Sequence, residues 1–151
     1  MNVIEPLLPA SSVLIDLDVS SKKRLLEQVG NLFAQSQQVS ASVVFDSLFA
    51  REKLGSTGLG HGIAIPHGRI KGLKDAAGAL IRVKTPIDFD APDNRPVSLL
   101  FVLLVPTQAT DLHLQILGEL AQMFSDKAMR QSMMEAGDAA TLHRLVCEWK
   151  P

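Results

Sequence analysis

The chain has 151 residues, 46% of them hydrophobic and 21% charged, and a formal net charge of -1. That length and composition suit one globular domain with an ample core, and the near-neutral charge argues against nucleic acid, which normally demands a basic face. No apolar run approaches the roughly 20 residues that cross a bilayer, the N-terminus MNVIEPLLPASS lacks the pattern of a signal peptide, and Cys147 has no second cysteine to pair with. The expected location is therefore the cytoplasm, without membrane insertion.

Val13, Ile15 and Leu17 alternate with Leu14, Asp16 and Asp18, which predicts a short early strand. Ser20 or Ser21 then serves as an N-cap, with Leu25, Leu26, Val29, Leu32 and Phe33 at helical spacing behind it, to about Ser36. Lys22, Lys23 and Arg24 read as a solvated face of that helix. A second helix is predicted over 41–53, with Val44, Leu48 and Phe45 toward the core and Gly55 as its stop. Residues 55–68 hold five glycines, too many for a helix, and read as a loop with one short extended piece, Ile63, Ala64 and Ile65. Pro66 supports that piece, because the residue before a proline is biased to extended geometry. Residues 79–84 (ALIRVK) and 97–105 (VSLLFVLLV) predict strands, the second central, joined by a proline- and aspartate-rich connection over 85–96. Helices are predicted over 111–124, 127–136 and 139–149, with Met123, Met129, Met133 and Met134 filling the core. Strands interleaved with helices make a layered α/β or α+β sandwich.

The chemistry concentrates in residues 51–69, REKLGSTGLGHGIAIPHGR. No Gly-Lys-Ser/Thr follows the glycines and no helix opens after them, so this is neither a nucleotide P-loop nor a dinucleotide fingerprint. His67, between Pro66 and Gly68, has a constrained backbone before it and little steric cover after it. A neutral imidazole is a good nucleophile near pH 7. One ring nitrogen can attack phosphorus if an acceptor holds the other as N–H. The oxygens of the phosphoryl group then need donors. Backbone N–H groups of the glycine-rich turn, Gly58 and Gly68 among them, can supply these, assisted by the hydroxyls of Ser56 and Thr57. Arg51 can close on the anion with a bidentate fork. His113, at the start of a helix that follows a strand, can stabilise the phosphate as a ring N–H donor. By spacing alone the segment is equally a long turn with two incidental histidines, and spacing favours His113 as a surface residue in a first helical turn. His61 has no fixed orientation, and His143 reads as a solvated residue of the final helix. His-x5-His is a weak zinc spacing and no cysteine supports it, so neither metal nor cofactor is expected.

Three separated blocks carry a resemblance: REKLGSTGLG with GIAIPHG (51–60 and 62–68), TPIDFDAPDNRPV with LLFVLLVP (85–97 and 99–106), and DLHL (111–114). They resemble the fructose/mannitol-type IIA domains of the bacterial phosphotransferase system, and most of all the nitrogen-regulatory branch. The resemblance implies a single α/β domain over 1–151, a mixed β-sheet with α-helices packed on both faces. It implies that His67 is phosphorylated on Nε2 by an HPr-like phosphocarrier, in this branch a dedicated paralogue (NPr). His113 matches the second active-site histidine and Arg51 the arginine near the phosphate, while His61 matches no required position. The chain would act as a carrier or switch with no metabolite of its own, regulating partners such as potassium-transport components or sensor kinases. Sugar-specific IIA domains are often fused to IIB or membrane IIC segments, and none is seen in this sequence, which favours the regulatory branch. The alternatives are a sugar-specific IIA component that passes phosphate to a IIB domain, and a pure interaction module indifferent to phosphorylation.

Overall fold

In the computed structural model, residues 2–108 and 111–151 are described. The apolar run Val97–Pro106 forms β6, and it organises everything else. Leu99 to Val105 are all 0–1% exposed, because both faces of this strand are covered. At about 1.5–3 kcal/mol for each large aliphatic side chain removed from water, this stretch is a principal source of stability. One edge of β6 pairs antiparallel with β5 (Ala77–Ile87), and β5 pairs in turn with parallel β1 (Val13–Leu17). Along its other edge run β3 (Ile63–Ala64) and β4 (His67–Ile70), both parallel to it. They keep one register, with Ile63 opposite Leu99 and His67 opposite Leu103, and the Pro66 carbonyl between them accepts the Leu103 N–H at 2.9 Å. Beyond β3 lies antiparallel β2 (Gly58–Gly60). The result is a mixed six-stranded sheet.

Two helical layers cover it. On one face, α1 (Lys22–Gln37) and α2 (Ala41–Leu54) bring Leu25, Val29, Phe33, Val44 and Leu48 against Ile81, Leu100, Val102 and Leu104. On the other, α3 (Asp111–Ser125), α4 (Lys127–Glu135) and α5 (Ala139–Glu148) bring Ile116, Leu120, Met133 and Leu142 against Ile65, Leu99, Phe101 and Leu103. Ser21 caps α1 by accepting the Arg24 N–H, and Asp126 and Asp138 cap α4 and α5 in the same way. The mixed sheet with helices on both faces is the architecture expected from the sequence.

Several expectations need correction. The glycine-rich segment is largely strand: β2, β3 and β4 all lie within or just beyond it, because β6 offers a complete ladder of backbone partners to whatever chain passes its edge. Strand β5 continues through Thr85, Pro86 and Ile87, residues read as connection, since Ile87 still pairs with Val97. Met134 is 43% exposed and fills no core. His143 is half-buried, with Nε2 donating to the Leu8 carbonyl at 2.8 Å and Cys147 Sγ at 3.4 Å from the same nitrogen, which is not a solvated-face residue.

Candidate phosphoacceptor site

His67 is the first residue of β4, and strand alternation sends its side chain to the face that α3 covers, as for Ile63 and Ile65. Its Nδ1 lies 2.8 Å from the Ile65 carbonyl oxygen. A carbonyl only accepts, so Nδ1 carries the hydrogen and the neutral ring keeps its lone pair on Nε2. That is the tautomer a phosphoryl acceptor at Nε2 needs. The ring lines a cleft of about 280 Å³ with Arg51, Ser56, Thr57, Gly58 and Leu59, closed on the helix side by Leu117 and Ala121.

His113, in the first turn of α3, stands edge-on to this ring with centroids 5.6 Å apart. Its Nε2 is buried and has no hydrogen-bond partner among the described residues. Burial holds its pKa below the usual imidazole value, and the nearby His67 and the Arg69 guanidinium push the same way. His113 is therefore neutral at pH 7, yet placed where added negative charge on His67 would favour its protonation. The residues just before α3, 109 and 110, lie outside the described residues, so the expected anion site at that helix N-terminus is not visible in full.

Arg51 is half-buried in the last turn of α2, and its Nη1 donates to the Gly55 carbonyl at 2.8 Å. The other guanidinium donors remain for an anion. The hydroxyls of Ser56 and Thr57 line the cleft but are committed. Ser56 Oγ donates to the Phe89 carbonyl at 2.5 Å and accepts the Gly58 N–H at 3.0 Å, while Thr57 Oγ1 donates to Glu52. They brace the loop, and an anion would meet them only after those bonds exchanged. Gly68 has a packing reason for its identity. A Cβ there would overlap Ser47 Oγ of α2, and that hydroxyl donates to the Arg69 carbonyl.

His61 is not part of this cleft. With Gly62 it forms the two-residue turn between β2 and β3, both at positive φ (57° and 79°), the geometry that lets a tight hairpin follow the strand twist. Its N–H donates to Asp93 Oδ2 at 2.8 Å, and with the Arg95 N–H this holds the Asp93 carboxyl below its ordinary value. Among the described residues no three His, Cys, Asp or Glu side chains gather as a metal site would require. Among the described residues no helix is long and apolar enough to cross a membrane.

Three residues near the site escaped the sequence reading. Arg69 donates to the Thr107 carbonyl at 2.9 Å and bears on His113. Glu52 is buried beneath the loop and bound to Lys22, which is no solvated-face residue: its Nζ also donates to the Phe89 carbonyl at 3.2 Å and stacks over the Phe89 ring. Helix polarity gave a signal for the last two, an anion at a helix C-terminus and a cation at an N-terminus.

Residues 6–148 match the family model for the phosphoenolpyruvate-dependent sugar phosphotransferase system, EIIA 2. The chain belongs to this EIIA 2 family. It is 43% identical over 146 residues to a nitrogen regulatory protein of Pseudomonas aeruginosa, a match covering 96% of this chain and 95% of that one. A fructose-specific EIIA component of Haloferax volcanii is 30% identical over 146 residues, with the same two coverages. The crystal structure of nitrogen regulatory protein IIA-Ntr from Neisseria meningitidis superposes with a TM-score of 0.92 at 50% identity, covering 96% of this chain and 99% of that one. The EIIA 2 fold thus accounts for the sheet and both helical layers.

Proposed function

We propose that this EIIA 2 chain, acting as one domain in the cytoplasm, is a phosphocarrier and regulatory protein of a nitrogen phosphotransferase system. His67 accepts a phosphoryl group from an HPr-like phosphocarrier, and partner proteins read its phosphorylation state. The observation that carries this reading is the Nδ1–H donated to the Ile65 carbonyl, which leaves Nε2 nucleophilic within reach of Arg51 and His113.

Transfer proceeds as the Nε2 lone pair forms the new N–P bond while the donor's N–P bond breaks, its electrons returning to the donor nitrogen. The His67 ring keeps its Nδ1 proton and becomes cationic, and the Ile65 carbonyl meets that charge. Developing charge on the phosphoryl oxygens is met by Arg51, while the Gly58 and Thr57 N–H groups expected to help are already bonded to Ser56 and Glu52, so the protein supplies position and electrostatics to a loose transition state. The bound phosphoryl brings about two negative charges to a cleft lined by the exposed Leu59, which changes what that surface can bind.

Incubation with phosphoenolpyruvate, enzyme I and an HPr-type donor should give an acid-labile, base-stable phosphate that is absent from His67→Ala. Undiminished labelling of His67→Ala would sink the assignment. Pull-downs comparing His67→Ala, His67→Glu and the phosphorylated chain test the switch, since equal partner binding by all three leaves a pure interaction module. The Haloferax relative's name keeps a second reading in view, a sugar-specific IIA component. It requires onward transfer to a IIB domain, measurable with the phosphorylated chain.

A further inference from the structure

Lys22 and Glu52 each stand at the unfavourable end of their own helix. Lys22 opens α1, where the dipole opposes a cation, and Glu52 lies in the last turn of α2, where it opposes an anion. They nevertheless meet, Nζ to Oε2 at 3.1 Å, with their side chains only 18% and 2% exposed. A buried ion pair adds little stability over an apolar pair of the same size, because desolvation offsets the attraction. Local rules broken twice in one contact point to a role in geometry.

The hydrogen bonds show which geometry. Glu52 accepts from Thr57 twice, from its hydroxyl and from its N–H at 3.4 Å. The Thr57 carbonyl accepts the Ile65 N–H at 3.0 Å. The Ile65 carbonyl accepts Nδ1–H of His67 at 2.8 Å. Lys22 joins the same loop from the other side: the Phe89 carbonyl takes both its ammonium and the Ser56 hydroxyl. A chain of contacts therefore links the ion pair, through the backbones of Thr57 and Ile65, to the imidazole.

We propose that Glu52, oriented by Lys22, is a positioning residue for His67. It touches no phosphoryl group. It fixes the Thr57 peptide, and through it the carbonyl that selects the His67 tautomer. The kinetic consequence rests on the phosphocarrier reading, whereas the tautomer is a property of the unmodified chain.

The test is long-range proton–nitrogen correlation NMR of the His67 ring in the full chain, at mildly alkaline pH, alongside phosphoryl transfer from the donor. Wild type should show the Nδ1–H form. In Glu52→Gln and in Thr57→Val the Nε2–H form should grow in, and transfer should slow roughly tenfold, as expected when the group orienting a reactive imidazole is lost. Thr57→Ser, which restores the hydroxyl, should recover both. Circular dichroism identifies the folded variants; should Glu52→Gln not fold, Thr57→Val, which loses a single hydroxyl at constant size, decides. Wild-type ring shifts and rate in a folded Thr57→Val overturn the proposal, and so does a wild-type ring that already mixes both tautomers. If wild type takes no phosphate on His67, the phosphocarrier reading falls, while the ring spectra still decide the positioning role.

Discussion

His113 of α3 meets His67 of β4 edge to face, with ring planes inclined at 65°. Such a pair cannot readily hold two cations, and burial already keeps His113 neutral. A phosphoryl group on His67 would add negative charge beside it. By NMR titration, His113 should bind its proton more tightly in the phosphorylated chain than in the unmodified one. In His113→Gln the phosphoryl adduct should hydrolyse faster, and an unchanged adduct lifetime would make His113 a bystander.

The same group shapes stability against pH. In the unfolded chain His113 titrates near 6.5, and in the folded chain below that. Between the two values the unfolded chain binds more protons, so the stability contributed by neutral His113 is full above about 6.5 and declines as the pH falls toward the folded value. Urea unfolding at a series of pH values should show that decline, and His113→Gln should flatten it.

Arg51 works through a planar fork, so charge alone should not replace it. Arg51→Ala should slow phosphoryl transfer by on the order of 100-fold, the usual cost of losing a charge-stabilising donor. Arg51→Lys should recover only a small part. Both variants should keep the wild-type unfolding free energy within roughly 1 kcal/mol, the lost bond to Gly55 included.

Gly68→Ala should destabilise the chain by about 1–3 kcal/mol, because the new methyl overlaps Ser47 Oγ and forces that hydroxyl off the Arg69 carbonyl. Adding Ser47→Ala removes the obstructing oxygen and should return part of that loss, although the hydroxyl's bond to the Arg69 carbonyl is lost with it. A double-mutant cycle read by urea denaturation gives the coupling.

Asn2 ties the two ends of the chain together. Its Nδ2 donates to the carbonyls of Val146 at 2.9 Å and Trp149 at 2.7 Å, at the open end of α5, while its Oδ1 accepts the N–H groups of Ile4 and Glu5. Asn2→Ala should cost about 1–2 kcal/mol in urea unfolding. Phosphoryl transfer to His67 should be untouched.

Features written in local spacing were legible. The alternation at Val13–Leu17, a cap at Ser20 or Ser21, the stop at Gly55 and the apolar run of β6 each depend on neighbours within a few residues, and the structure has all of them, with Ser21 as the cap. The strands of the glycine-rich segment were not legible, because β2, β3 and β4 form only beside partners, and for β3 and β4 the partner is β6, more than thirty residues on. Lys22 and His143 were misread for the same reason. Each looks like a surface residue on its own helix and finds its acceptor on a distant segment, Glu52 or the Leu8 carbonyl.

By itself the sequence determined the helices, the strands β1 and β6, the family and the imidazole worth watching, since periodicity, caps and short contiguous motifs are local properties of the chain. Only the tertiary structure decided which hydroxyls are free, which carbonyl holds Nδ1, and that a carboxylate beneath the loop is linked to that carbonyl. Those are matters of which backbone groups meet when β3 and β4 align along β6 and α2 closes over them, and no spacing along one segment records the partner that arrives from another.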